Sequence, residues 1–339
     1  MAPSSDSRRR TRRAYLGVVA TVVLLAAGLS GAWYYLAGQL DARVTRAIAV
    51  ARANGTDIEC PNREVFGFPF RLGIRCDAVS LDGDGSRMRA TAGAFRSAAQ
   101  IYQPNKVVAE LDGPLIVDTA DAPPLDLRWG LAQASATFWT QGLDHFAFVA
   151  NSPVVALAEP AAARQPLVEA ASTETHARRR GDDLDLALTV RGAKIVAPGA
   201  PSFPSIDTAS DLTIGGAADW LTGRARGQSP RQMMSGREVT LRSLLVKAGS
   251  ASAELSGQFS FGADGRLSGD FKLMVDRPEE IAALIGQAAP QFASIAKTVA
   301  SAVPFIGRPR GGKTVIDIAA RDGMLSAGIV PIGPLPPLR

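Results

Sequence analysis

Cysteine and histidine are nearly absent: two of each stand in 339 residues. Two cysteines alone make a poor zinc site, and the spacing of Cys60 and Cys76 excludes a CxxC redox motif. His145 and His176 have no sequence neighbour that points to a catalytic triad, and the chain holds no G-x-S-x-G elbow. Aromatic residues make up only 6%, and charged residues, at 20%, are somewhat scarce for a globular chain. The net charge of +5 has the wrong distribution for nucleic acid. Residues 1–13 set Arg8, Arg9, Arg10, Arg12 and Arg13 against Asp6, a net +4, so the rest of the chain carries about +1. A groove along a phosphate backbone needs charge clustered on the folded domain itself. Nucleic acid is therefore not an expected partner, and the residues give no catalytic site, cofactor site or metal site.

Charge is missing altogether from residues 14–37, AYLGVVATVVLLAAGLSGAWYYLA. At 1.5 Å rise per residue this stretch reaches about 36 Å, enough to cross a hydrocarbon core of about 30 Å. Trp33, Tyr34 and Tyr35 stand at its far end, where amphipathic rings favour the membrane–water interface. By the positive-inside rule the arginines stay cytoplasmic and the rest of the chain lies across the membrane. A cleaved signal is the competing reading. Residues 11–16, TRRAYL, resemble a twin-arginine export signal, and Ser30-Gly31-Ala32 offers a small-residue cleavage site. No polar region precedes that site and aromatics follow it directly, which favours an uncleaved anchor. Either way the remainder is exported. Past the apolar run, Leu40, Val44, Ala47, Ile48 and Ala51 form one helical stripe, and Asn54-Gly55 ends it as a C-cap would.

An exported domain sits in an oxidising compartment, where two cysteines are expected to pair. If Cys60 faces Cys76 in an antiparallel hairpin, the tip is a three-residue loop, Gly67-Phe68-Pro69. Phe66 then faces Phe70, Glu64 faces Leu72 and Ile58 faces Ala78. Leu72, Ile74, Cys76 and Ala78 alternate as one buried face requires, whereas Asn62 falls opposite Ile74. Two buried free thiols are the alternative. Beyond this hairpin, strand patterns dominate. Leu184, Leu186, Leu188 and Val190 alternate cleanly. Residues 251–275 read as a hairpin about Asp264-Gly265, and residues 314–330 as another about Asp322-Gly323, flanked by Ile316, Ile318, Ala320, Leu325, Ala327 and Ile329. Between them Pro278, Glu279 and Glu280 open a helix. Ile281, Leu284, Ile285 and Ala288 form its stripe; Pro290 breaks it; Phe292, Ile295, Ala296 and Val299 form the next stripe. The alanine-rich segment 156–172 is the weakest-patterned stretch and the best candidate for an internal boundary, but the domain is not split there.

Two motifs match a pattern without its setting. Residues 307–314, GRPRGGKT, fit the P-loop spacing. A working P-loop follows a strand and opens a helix, whose N–H groups cradle phosphate. This one follows a helical pattern, opens the strand TVIDIA and carries Pro309 within the loop, so no nucleotide is expected. Asp82-Gly83-Asp84-Gly85 lacks the later glycine and the bidentate glutamate of a calcium loop and reads as a turn.

The anchor, the Gly67-Phe68-Pro69-Phe70-Arg71-Leu72 stretch between cysteines, and the closing Gly333-Pro334-Leu335-Pro336-Pro337-Leu338 resemble an uncharacterised Gram-negative envelope family, domain of unknown function 2125. More distantly the layout is similar to AsmA-like envelope proteins. The resemblance implies an inner-membrane-anchored periplasmic protein on a curved antiparallel sheet, associated in AsmA-like relatives with lipid handling. The resulting expectation is a mainly β chain of the α+β kind. It has a cytoplasmic tail (1–13), a single transmembrane anchor (14–37), a membrane-proximal helix (38–54) and a periplasmic β-rich domain (55–339), with a helix pair between carboxyl-terminal hairpins. Its expected function is to bind or shield lipid in an apolar groove around Phe259, Phe261, Phe271, Leu273 and Val275, with residues 278–302 as floor or lid. A cargo-free scaffold for protein partners is the rival.

Overall fold

The computed structural model describes residues 5–83, 88–120, 122–140, 142–158, 164–223, 228–288, 290–328 and 330–338. The apolar run belongs to one helix, α1 (Ser5–Ala53), which is long and apolar enough to cross a membrane. Large residues of the run, such as Val22, Leu24 and Leu25, are exposed, and the first buried residues of α1 are Trp33 and Ala37. Gly55, at φ +80°, carries the chain out of the helix. A left-handed φ of this kind costs glycine nothing, which is why a glycine follows the helix end.

Everything after α1 is built on antiparallel strands. The first group comprises β1 (Thr56–Glu59), β2 (Glu64–Phe66), β3 (Arg71–Cys76), β4 (Val79–Gly83), β5 (Met88–Ala92), β6 (Phe95–Gln100), β7 (Gln103–Leu111) and β8 (Leu115–Thr119). Then come β9 (Ala122–Arg128), β10 (Leu131–Trp139), β11 (Gly142–Asn151), β12 (Val154–Leu157), β13 (Gln165–Glu169), β14 (Ser172–Arg180) and β15 (Asp183–Ile195). β16 (Ile206–Ile214), a short helix α2 (Pro230–Met234), β17 (Glu238–Ala248), β18 (Ala251–Phe261) and β19 (Leu267–Asp276) follow. The helix pair α3 (Pro278–Ala288) and α4 (Ala293–Ile306) precedes β20 (Arg308–Arg310), β21 (Lys313–Arg321), β22 (Met324–Ala327) and β23 (Val330–Pro334). All of these strands join one open 23-stranded sheet.

The chain crosses this sheet as a meander. Each of the first seven passes is two strands in line, β1 with β2, β3 with β4, and so on to β13 with β14. The interruption falls at the same level every time, at residues 60–63, 77–78, 93–94, 112–114, 129–130, 152–153 and 170–171. Backbone bonds bridge this crease: Gly93 N–H donates to Asp112 O (3.0 Å), Gly130 N–H to Asn151 O (2.9 Å) and Ala171 N–H to Arg191 O (2.8 Å). Glycine and proline recur along it, at Pro61, Gly93, Gly113, Pro114, Gly130 and Pro153, which suits a line where the ladder must break. β15 spans the crease unbroken, pairing with β14 and, at Lys194 and Ile195, with β13. In the 156–172 segment β12 and β13 pair as a hairpin within the sheet, and residues 159–163 lie outside the described residues.

Cys60 and Cys76 are joined, with Cα atoms 5.3 Å apart, but the register expected around them is three residues out. Glu64 faces Arg75 rather than Leu72, and Phe66 faces Gly73 rather than Phe70. Ile58 faces Leu81 rather than Ala78, and Val65 rather than Asn62 sits opposite Ile74. The disulfide therefore runs diagonally across the crease and does not join facing residues. Packing explains the shift. A Cβ at Gly73 would come within 3.0 Å of the Phe66 ring and 2.1 Å of Ser97 O, so only glycine fits beneath that ring. The tip is correspondingly longer, with Gly67 O accepting from Arg71 N–H at 2.8 Å. Asn62 instead donates to Asp77 Oδ2 at 2.7 Å.

The carboxyl-terminal expectations and the structure coincide. Phe261 faces Leu267 across the Asp264-Gly265 turn, and Ala320 faces Leu325 across Asp322-Gly323. The side chains of Phe292, Ile295 and Val299 lie outside the described residues, as do Asp84, Gly85 and Ile329.

Candidate functional site

The strand registers place one unbroken row of apolar residues and glycine across thirteen neighbouring strands. It runs Leu72, Ala99, Val107, Ala136, Phe146, Ala177, Leu186, Leu212, Leu241, Gly257, Phe271, Ile318 and Ala327. The parallel row through Leu188 passes Ser210 and then adds Leu244, Leu255, Leu273 and Ile316. At about 4.8 Å between strands, the first row is roughly 58 Å long. It begins on the strand beside α1 and ends beneath α4.

The opposite face is polar. Arg75 pairs with Glu64 (2.6 Å), Arg96 with Glu110 (3.5 Å) and Arg178 with Asp185 (3.4 Å). The first two pairs are exposed and add little stability, but all three mark the face that meets water. The histidines lie here too, on adjacent strands, with rings stacked 5.8 Å apart. His176 Nε2 is 2.7 Å from Glu174 Oε1. Beside them Arg242 Nε donates to Asp211 Oδ2 at 2.8 Å, a bond that holds the Asp211 carboxyl below its ordinary range and raises the Arg242 guanidinium. The histidines stand 31 residues apart, and only the pairing of β11 with β14 unites them, so no local motif announced the contact.

The apolar face is covered only in part. Near the strand tips Leu184, Ile214, Ala217 and Val239 form a buried cluster, closed by Trp220, Leu221 and Met234 from the 215–237 connection. Under α4, Val275, Val303, Ile316 and Ala327 form a second. Between these, Leu188 is 41% exposed and Leu244 and Val246 are 37% exposed. Elsewhere on the row through Leu72, residues such as Ala99, Val107, Phe146 and Leu212 are half-buried rather than buried.

Two apolar cavities flank α3. One, of about 390 Å³, lies between α3, α4 and the sheet, lined by Leu273, Val275, Ile281, Ala300, Val303 and Ile316. The other, of about 250 Å³, lies toward the crease, lined by Ile195, Phe203, Val246, Ala253, Leu284 and Ile285. Ile195 pairs into the crease-side strands and Val246 into the long ones, so both halves of the sheet face this space.

The residues expected to form a groove are thus divided. Leu273 and Val275 line the larger cavity. Phe259, Phe261 and Phe271 pack as an aromatic group, with ring centroids 5.7 and 5.5 Å from Phe259, and Phe259 joins the cluster at the strand tips. Ile195, Leu188, Val246 and Leu244, none of them among the expected groove residues, carry more of the open surface. Residues 308–315 form a tight β20–β21 hairpin, with Gly311 and Gly312 at φ +60° and +80°. The P-loop spacing thus falls on a turn between two strands, with no helix after it.

The family model for uncharacterized proteins conserved in bacteria, DUF2125, matches residues 33–336. The chain belongs to this family. The match begins at Trp33, the first buried residue of α1, and takes in every strand of the sheet of this DUF2125 member. None of the curated proteins matches the chain.

Proposed function

We propose that this protein is anchored in the inner membrane by α1, with its sheet in the periplasm, and binds lipid acyl chains along the apolar face, in envelope lipid homeostasis. One observation carries the reading: the apolar face that starts beside the membrane helix with the row of thirteen apolar or glycine positions and leaves Leu188, Leu244 and Val246 open beside that row. Exposed apolar side chains grouped on one face mark binding surfaces. Acyl chains suit it, because the face offers apolar area with only uncharged hydroxyls such as Ser210 and Thr208 interspersed. The cavities beside α3 fall in or near the size range of ligand pockets, and α3 then acts as a cover over the carboxyl-terminal end. The arginines in the first turns of α1 and the Cys60–Cys76 bond support the orientation, since disulfides persist in oxidising compartments.

The rival, a scaffold joined by strand addition, finds less support at the sheet edges. β23 at one edge carries Pro331 and Pro334, which lack the N–H that an added strand needs. The other edge, β1, packs against α1, where Arg52 pairs with Asp57 at 2.6 Å.

Mass spectrometry of the full chain, extracted gently from membranes, tests the reading. Phospholipid should co-purify with it, and Leu188→Glu with Leu244→Glu should strip that lipid without unfolding the chain, because both side chains are already part-exposed. Equal lipid in wild type and variant contradicts the proposal.

A further inference from the structure

The tip of the β2–β3 hairpin lies against α1 where the apolar run ends. Trp33 Nε1 donates to Arg71 O at 2.7 Å, and the Phe68 ring stands 5.5 Å from Trp33 and 6.0 Å from Tyr34. A second tip, β6–β7, is tied to the first, since Ile101 N–H donates to Phe70 O at 3.0 Å. The two tips leave large rings in the open: Phe68 is 52% exposed, Phe70 61% and Tyr102 75%, beside Tyr34 and Tyr35 on α1. In a chain with so few aromatic residues, this is a costly set of groups to leave in water. Between the tips lies a cleft of about 370 Å³ lined by Arg71, Gln100, Gln103, Lys106 and Val108. No acidic side chain lines it among the described residues, and neither Arg71 nor Lys106 makes an ion pair there, although most cations on this face of the sheet do.

We infer that the two hairpin tips form a second membrane contact. Phe68, Phe70 and Tyr102 seat in the interfacial layer of the bilayer that α1 crosses, and Arg71 and Lys106 take up phosphate of anionic lipid. Amphipathic and aromatic side chains settle at the depth of the headgroups, and basic groups near the surface are drawn to anionic lipid. Because α1 fixes the distance between tips and bilayer through the Trp33 bond, the seat sets the tilt of the sheet and holds its first strand at the membrane surface. The inference rests on α1 crossing a bilayer and is independent of whether lipid lies along the apolar face.

Depth-dependent quenching of the full chain in nanodiscs tests it. Phe70→Trp and Tyr102→Trp are compared, as differences from wild-type emission, with Val23→Trp inside the apolar run and with exposed Met324→Trp at the far end. Brominated phosphatidylcholine should quench Val23→Trp, Phe70→Trp and Tyr102→Trp and leave Met324→Trp bright. Adding phosphatidylglycerol should deepen quenching at Phe70→Trp, and Arg71→Gln with Lys106→Gln should abolish that gain. Quenching at Val23→Trp but at neither or only one tip overturns the seat. Absence of quenching at Val23→Trp overturns the spanning of α1 and the seat with it. A phosphatidylglycerol effect that survives the double substitution overturns the role of the two cations.

Discussion

Removal of the Cys60–Cys76 bond isolates one strand pair from the rest of the sheet. The bond closes a segment of 16 residues. The chain-entropy relation assigns such a loop about 3 kcal/mol of stabilisation. The bond crosses the crease at the first two passes, where β2 contributes only three residues and α1 supplies much of the remaining support. Its loss should therefore appear as local opening of this hairpin, while strands from β16 onward keep their protection. At about 1.4 kcal/mol per tenfold, 3 kcal/mol corresponds to roughly 100-fold faster exchange. Hydrogen exchange with mass spectrometry on the full chain in nanodiscs reads this directly. In Cys60→Ser with Cys76→Ser, peptides covering 64–66 and 71–76 should exchange about 100-fold faster. Peptides covering 251–276 should be unchanged. Equal protection in both regions would refute the diagonal bond as the clamp on the first hairpin, and a uniform loss would show that the sheet opens as one unit.

Other substitutions probe separate parts of the account. Gly73→Ala drives a methyl into Ser97 O and the Phe66 ring; it should cost about 1–3 kcal/mol in denaturant unfolding, and an unchanged midpoint would contradict the observed register. Ile316→Ala, in the buried cluster under α4, should cost about 2–5 kcal/mol, read from the same unfolding curves. Asp211 owes its lowered pKa first to its bond from Arg242. Its contribution is present above the ordinary value of 3.8 and is lost as pH falls through the lowered folded value. Arg242→Met should move the Asp211 titration back up toward 3.8, as followed by NMR, and an unmoved titration would remove Arg242 as the cause.

Local signals carried much of the fold. Asp264-Gly265 and Asp322-Gly323 mark hairpins because their glycines supply the φ near +80° that the turns need. The helix pair was legible from Pro278, two glutamates and Pro290. The first hairpin misled because the cysteines invited a facing pair, and the ladder instead obeys the fit of Phe66 over Gly73. The crease left only scattered glycines and prolines, no two breaks alike in sequence. Least visible was the extent of the apolar face. Each strand shows its own alternation, but whether thirteen alternations line up depends on registers that turns and bulges set, such as the shift between Leu241 and Leu244. For the same reason Phe259 and Phe271 are conspicuous in the sequence yet largely packed, while Leu188, Leu244 and Val246 hold the open surface.

Site-specific photo-crosslinking in living cells tests lipid binding along this face most directly. A photoreactive residue would be placed singly at Leu188, Leu244 and Val246, and, as controls one strand position away on the polar face, at Thr189 and Lys247. The account predicts phospholipid adducts at the first three positions and none at the two controls. Equal adducts on both faces, or none at Leu188, Leu244 and Val246, would contradict it.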